Sequence, residues 1–377
     1  MKKIMLGVFG VSLLALVGCG VSTPNAKGPQ TVKIWVIAPL SEWAATYGQD
    51  AINAYQEIVA KNNDDKYTFE LIIEDGKCSG KDAVSAAQKL INVDKVQVIV
   101  GGICSSETIP AAAIADQNKV VMISPTSSSP DISGISPYVF RYWNDLDTSK
   151  VLISTVDKIG LDSITLIYAN NEYAVAYANA IKAQYKGTIV QEIKFDDDEK
   201  DFSLIAKKVA STKAEAEGIV FIPIGDVSAI AMLRALDSEG LLDHYRGKLV
   251  WGETMSMNTV SENLGARIDG AISVTLPEAK DLGAGAQTFI DMFAAKYTIS
   301  SSPVFVVIEA DAMQLAINAI KKVGNNAEKI RAYVDWFSSA KPIAGLLGKY
   351  YFNETNDGQG LQFAVKTFAG GKLVDFK

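Results

Sequence analysis

The chain has 377 residues, 48% of them hydrophobic and 21% charged, enough for two ordinary domains and too apolar for a disordered polymer. One histidine, His244, and three cysteines, Cys19, Cys78 and Cys104, occur in the whole length, which argues against zinc fingers, iron–sulfur clusters and multi-histidine metal centres. The formal charge of −7 opposes non-specific nucleic-acid binding, which needs a basic surface to displace counterions, and no cofactor is expected.

In residues 1–18, Lys2 and Lys3 precede an apolar stretch, 4–17, that is too short for a comfortable membrane span. This is the pattern of a secretory signal. It ends Leu16-Val17-Gly18-Cys19, which resembles a bacterial lipobox, where small residues admit a peptidase to the bond before a cysteine that carries lipid. An ordinary signal peptide with a chance cysteine is the alternative. Residues 19–30 then form a polar tether from the anchor at Cys19. No second stretch approaches eighteen apolar residues, so the remainder is expected to be exported and soluble. It would be held outside the cytoplasmic membrane, on the periplasmic side or at the cell surface, by its acyl chains alone.

Export favours thiol pairing. Cys78 and Cys104 each follow a predicted strand, and a bridge between them would close a loop of about 25 residues, worth about 3 kcal/mol in the chain-entropy treatment. Two free thiols in a reducing habitat are the alternative.

Short β-branched runs alternate with helical patterns along the mature chain, the signature of parallel α/β units. The spacing predicts strand 32–38, helix 46–61, strand 69–75, helix 80–92, strand 97–100, helix 106–118 and strand 120–124. After 138–142 the rhythm restarts with helix 148–159, strand 163–168, helix 172–185, strand 188–195, helix 202–211, strand 218–222, helix 227–239 and strand 248–251. Strand 270–276, helices 286–297, 304–323 and 327–337, and strand-like 349–352 and 361–368 complete the chain. The acidic run Asp196-Asp197-Asp198-Glu199 lacks the spaced ligands of a calcium loop and is expected to be a solvated helix start. Asp357-Gly358 and Gly370-Gly371 are expected turns.

Open α/β sheets bind ligands beyond the C-terminal ends of their strands. Two such loops stand out. Gly101-Gly102-Ile103-Cys104-Ser105-Ser106 passes from strand to helix and offers hydroxyls and free N–H groups, a carboxylate-sized anion site. Ser124-Pro125-Thr126-Ser127-Ser128-Ser129-Pro130 would lie beside it. Any one of these serines would equally serve to cap a helix or form a turn.

These segments resemble the leucine/isoleucine/valine-binding proteins, the type I periplasmic binding proteins that serve ABC importers. The likeness runs over residues 33–368. It is carried by Cys104-Ser105-Ser106, Met122-Ile123-Ser124-Pro125 and Ser129-Pro130, with Cys78 upstream. Tyr47-Gly48, Val139-Phe140-Arg141, Glu172-Tyr173, Lys200-Asp201-Phe202-Ser203 and Gly252-Glu253 also match. The resemblance implies that Ser105 bonds the ligand carboxylate and that Ser127 and Ser128 hold carboxylate and ammonium, with Ser128 standing where the family has threonine; Thr126 of the same loop is a further candidate ligand-binding residue. It further implies that Tyr47 contacts the ligand from the first lobe, that Tyr173 closes on it from the second, and that Glu253 answers the ammonium group. A zwitterion taken from water needs both charges answered.

One departure bears on specificity. Pro223-Ile224-Gly225-Asp226 replaces a tyrosine-rich loop of the family, so Asp226 either caps the following helix or faces the cleft, where it would take part in binding the ammonium group or favour a polar or cationic side chain. Trp43 and Trp143 would line the side-chain pocket or pack at the hinge.

The expectation is therefore two doubly wound α/β lobes joined by three hinge crossings: lobe I from 31–147 and 276–350, lobe II from 148–275 and 351–377. A monomeric, lipid-anchored substrate-binding protein would capture an amino acid, branched-chain or otherwise hydrophobic, and present it to the permease subunits of an ABC importer. A ligand sensor signalling to a membrane receptor, or a binder of an amide or other amino-acid-like molecule, would use the same cleft. An exported amidase or esterase would need a base near a cleft serine, for which His244 is poorly placed.

Overall fold

The structure is a computed structural model that describes residues 28–94, 96–252 and 257–377. The signal segment and Cys19 lie outside these residues. The chain runs β1 Gln30–Ala38, α1 Ala45–Asn62, β2 Tyr67–Asp75, α2 Gly80–Asp94, β3 Val98–Gly101, α3 Ser105–Asn118, β4 Val121–Ser124 and β5 Val139–Arg141. It continues α4 Asp145–Lys158, β6 Ser163–Ala169, α5 Glu172–Gln184, β7 Thr188–Phe195, α6 Ser203–Ser211, β8 Gly218–Ile222, α7 Gly225–Ser238, α8 Leu241–His244, β9 Leu249–Trp251, α9 Asn258–Leu264 and β10 Ile272–Thr275. The last elements are α10 Ala286–Ala294, α11 Pro303–Val323, α12 Ala327–Asp335, β11 Ile343–Gly345, β12 Gly348–Phe352, β13 Gly358–Gln359, β14 Ala364–Ala369 and β15 Lys372–Asp375.

Among the described residues the strands form three sheets. The first, β2-β1-β3-β4-β5, is parallel throughout. Its inner strands β3 and β4 are apolar and buried on both faces because helices cover both. Val32, Ile34 and Val36 of β1 pack with α1, α10, α11 and α12, whereas Trp35 and Ile37 face the alanine-rich sides of α2 and α3. Gly101 ends β3 at φ +125°, and a Cβ there would lie 2.1 Å from the Ile37 carbonyl oxygen, so only glycine lets β3 approach β1 this closely.

The second sheet, β15-β14-β10-β9-β8-β6-β7, is parallel from β10 to β7 and gains β14 and β15 as antiparallel additions. Its core gathers α4 to α7, α9 and Phe368 of β14. The chain passes between the lobes after β5, after β10 and between β13 and β14, and Phe363 in the last crossing packs against both cores.

That third crossing lies later than the sequence boundary of 350/351. Phe352 is part of the first core, and Asp357 is bound to Arg141, so β12 and β13 stay with lobe I. The expected turn at Asp357-Gly358 is instead a bridge to Arg141 followed by β13. Strand β12 falls where strand-like 349–352 is expected, whereas β11, β13 and β15 are too short to show an apolar period.

Helix α11 is 21 residues long with mean hydropathy 1.5 over its most apolar window, long and apolar enough to cross a membrane. It carries Glu309 and Asp311, however, and 78% of that window is buried within the protein. It is the central helix of the first core, packed on α1.

Candidate functional site

The segments that follow β1, β3 and β4 of the first sheet and β6 and β8 of the second come together. Between them lies a cavity of about 110 Å³, lined by Trp43, Tyr47, Ser105, Thr126, Ser128 and Phe305 of lobe I and by Asn171, Tyr173, Ile224 and Gly225 of lobe II, among others.

On the lobe I side, α3 starts at Ser105, and its N-terminus opens on the cavity. Glu107 N and Thr108 N each donate to Cys104 O at 3.0 Å, which leaves the Ser105 and Ser106 N–H groups at the start of the helix, where the end favours an anion. Glu107 holds the turn in place. Its carboxyl accepts from Cys78 N at 3.0 Å, Ile103 N at 2.9 Å and Cys104 N at 3.2 Å. The disulfide Cys78–Cys104, with Cα atoms 5.3 Å apart, ties this turn to the end of β2. Burial pushes the Glu107 carboxyl up to about 7 even though three backbone donors pull it down.

The serine loop after β4 divides its labour. Ser128 lines the cavity, and the Ser105 hydroxyl accepts from Ser129 N at 3.2 Å. Thr126 also lines the cavity and donates to Ile103 O at 2.9 Å. Ser127 turns inward instead. Its hydroxyl bonds Gly102 O at 3.0 Å and Thr108 Oγ1 at 2.7 Å, so its side chain braces the loop. Arg141 supports the same loop from behind by donating to Ser129 O at 2.7 Å while its Nε pairs with Asp357.

The apolar wall is aromatic. Trp143 stacks on Phe305 with ring centroids 5.9 Å apart and planes 4° apart, Tyr47 lies 6.3 Å from Phe305, and Trp43 lies edge-on 6.1 Å from Tyr47. Both tryptophans line the cavity.

Lobe II contributes Tyr173 from the first turn of α5 and Asn171 as that helix's N-cap, which accepts from Ala174 N at 2.9 Å and donates to Asp197 at 2.9 Å. The lobes meet around the cavity. Ser129 Oγ donates to Glu172 O at 3.0 Å, and Tyr47 Oη donates to Met257 Sδ at 2.9 Å. A Cβ on Gly225 would lie 3.0 Å from the Trp43 ring.

Asp226 does not join this group. Its carboxylate accepts from Thr259 Oγ1 at 2.7 Å, tying α7 to α9, and α7 already begins at Gly225, so Asp226 is neither cap nor cavity wall. Glu253 lies outside the described residues. His244 is exposed at the end of α8, its Nε2 3.1 Å from Lys213 O.

Two cavity-lining carboxyls escaped the sequence reading. Asp50 of α1 and Glu309 of α11 are each 3% exposed. Asp50 Oδ2 accepts from Ser300 N at 2.9 Å, Ser301 N at 2.8 Å and Ser301 Oγ at 2.7 Å, and burial still raises its pKa. Glu309 accepts from the Tyr55 hydroxyl and is pushed by burial up to about 8, with the Glu107 and Asp50 charges adding to the rise. The available signal for Glu309 was an acid inside the run 303–313, apolar apart from Glu309 and Asp311; no comparable signal marks Asp50 in α1.

Residues 31–365 match the family described as periplasmic binding protein. The Leu/Ile/Val-binding protein of Escherichia coli strain K12 is 24% identical over 384 residues, covering 99% of this chain and 100% of that protein. The crystal structure of the branched-chain amino acid transporter substrate-binding protein LivJ of Streptococcus pneumoniae, in complex with isoleucine, aligns with a TM-score of 0.78 at 22% identity, over 91% of this chain and 98% of that one. A solute-binding protein of an ABC transporter from R. palustris, in complex with 4-hydroxybenzoate, aligns with a TM-score of 0.79 at 18% identity, over 92% and 96% of the two chains.

Proposed function

The chain belongs to the periplasmic binding protein family, and from that premise we propose that it captures an amino acid, its side chain branched or otherwise largely hydrocarbon, for the membrane subunits of an ABC importer. The family places it outside the cytoplasm, and in this reading Cys19 carries the lipid that keeps a monomer at the membrane. The observation that carries the proposal is the cavity shared by the N-terminus of α3, with Ser105 and Ser128, and by Tyr173 of the opposite lobe.

In this reading the ligand carboxylate meets the first-turn N–H groups and the two hydroxyls, where charge-assisted hydrogen bonds compensate for the water lost. The aromatic wall takes the hydrocarbon, Tyr173 closes over it, and Glu253 answers the ammonium group. Closure follows because each lobe gains its ligand contacts fully only when the other shares the ligand. The closed shape is what a permease distinguishes from the empty one.

Native mass spectrometry of undenatured protein, followed by identification of the released molecule, tests the class of ligand. An amino acid supports the proposal, and an aromatic acid without an amino group overturns it. Ser105→Ala should weaken binding of that molecule at least fivefold, whereas an effect within about twofold, well under 1 kcal/mol, removes Ser105 from the site.

A further inference from the structure

The lobe I wall of the cavity holds two carboxyl groups whose oxygens outnumber the protein donors that reach them. On Asp50 all three hydrogen bonds fall on Oδ2, and among the described residues Oδ1 has no donor. On Glu309, Tyr55 serves Oε2, while Oε1 has only the Thr126 hydroxyl at 3.4 Å, whose single hydrogen goes to Ile103 O at 2.9 Å. Among the described residues no lysine or arginine pairs with either group, and the charges that bear on Glu309 are the acids Glu107 and Asp50. Both residues line the cavity, so these oxygens are open to a donor carried by a ligand.

The placement is regular. On α1, Tyr47 and Asp50 are three residues apart, and on α11, Phe305 and Glu309 are four apart, so each helix presents an aromatic ring and a carboxyl on one face toward the cavity. Thr126 links this wall to the Ser128 loop. A ligand gripped at Ser105 and Ser128 therefore shares its cavity with both the aromatic rings and these carboxyls.

We infer that the amino acid taken by this cleft carries a side chain with an apolar body and a hydrogen-bond-donating end, a hydroxyl, amide or ammonium group, received by Asp50 and Glu309. The inference rests on the amino-acid reading above and sharpens it. A site built to bond a donor rejects the isostere that lacks one, because its own acceptors are then stranded.

The test is isothermal titration of the full chain, purified in mild detergent and dialysed, with three near-isosteric pairs: L-valine and L-threonine, L-leucine and L-asparagine, L-norleucine and L-ornithine. The pairs separate hydroxyl, amide and ammonium ends. In at least one pair the donor-bearing member should bind at least tenfold more tightly than its partner, and Glu309→Leu should reduce that preference at least fivefold. Apolar members binding as tightly or more tightly in all three pairs overturns the inference, as does a folded Glu309→Leu protein that keeps the full preference. The wild-type comparison decides the matter even where Glu309→Leu does not fold. If no member of any pair binds, the amino-acid reading itself fails, and this inference fails with it.

Discussion

Gly225 is where closure is most sensitive to one added carbon. It begins α7 at φ +74°, and a Cβ there would lie 3.0 Å and 3.2 Å from two atoms of the Trp43 ring across the cleft. Gly225→Ala therefore perturbs two equilibria. The left-handed backbone costs an alanine about 1 kcal/mol whenever lobe II is folded, which lowers stability in urea whether or not ligand is present. The contact with Trp43 exists only where the lobes meet, so it acts on binding. A ring that must yield by a few tenths of an ångström costs about 1 kcal/mol at the low end of overpacking penalties, or about a fivefold rise in Kd. Titration calorimetry with the ligand identified by mass spectrometry measures this. The two sources separate in a double-mutant cycle with Trp43→Ala: in that background Gly225→Ala should leave Kd within twofold while its stability loss persists. A fivefold loss of affinity that survives removal of the Trp43 ring refutes the reasoning.

Three further outcomes are expected. Asp357→Ala should cost 3 kcal/mol or more in urea unfolding, since it strands Arg141, whose side chain is 1% exposed; the loss should also reach the ligand through the Ser129 carbonyl that Arg141 holds. Replacing Cys78 and Cys104 by serine opens a loop with sequence separation 26 and should lower stability by about 3 kcal/mol, read as a shift of the urea midpoint that dithiothreitol reproduces in the wild type. Burial lifts Asp311 to about 6, Glu107 to about 7 and Glu309 to about 8. These folded-state values lie above the unfolded ones, so the folded protein holds protons the unfolded chain has released. Stability is then greatest near pH 4 to 5 and falls as pH rises toward 8, with Glu107 alone contributing on the order of 3 kcal/mol. A urea midpoint higher at pH 8 than at pH 5 contradicts this sign.

The parallel lobes were legible because their inner strands are buried on both faces and therefore appear as unbroken apolar runs between helical periods. The carboxylate end of the cleft was legible for a related reason: glycines and hydroxyls clustered directly after β3 and β4, where the fold puts ligands. The side chains that complete the cavity were not. Asp50 and Glu309 sit mid-helix among residues that pack in the core, and nothing in local spacing says which polar position of a buried helix faces a cavity rather than a hydrogen-bond partner. Ser127 shows the converse. Its sequence matches its neighbours, yet the turn after β4 rotates its hydroxyl toward Gly102 and Thr108. Asp226 was ambiguous because a helix start and a cleft loop share the same few residues, and α7 begins one residue before it.

The disulfide and the Glu107 carboxyl tie the α3 turn to the end of β2, and Thr108, Ser124 and Ser127 knit it to the loop after β4. One half of the cleft is thus assembled before any ligand arrives. This sets an order in time: the incoming molecule lands on a prepared platform, and the swing of the other lobe decides how long it stays. Changes on the platform should then alter how fast capture begins, whereas changes to Tyr173 or Gly225 should alter how soon the cargo escapes.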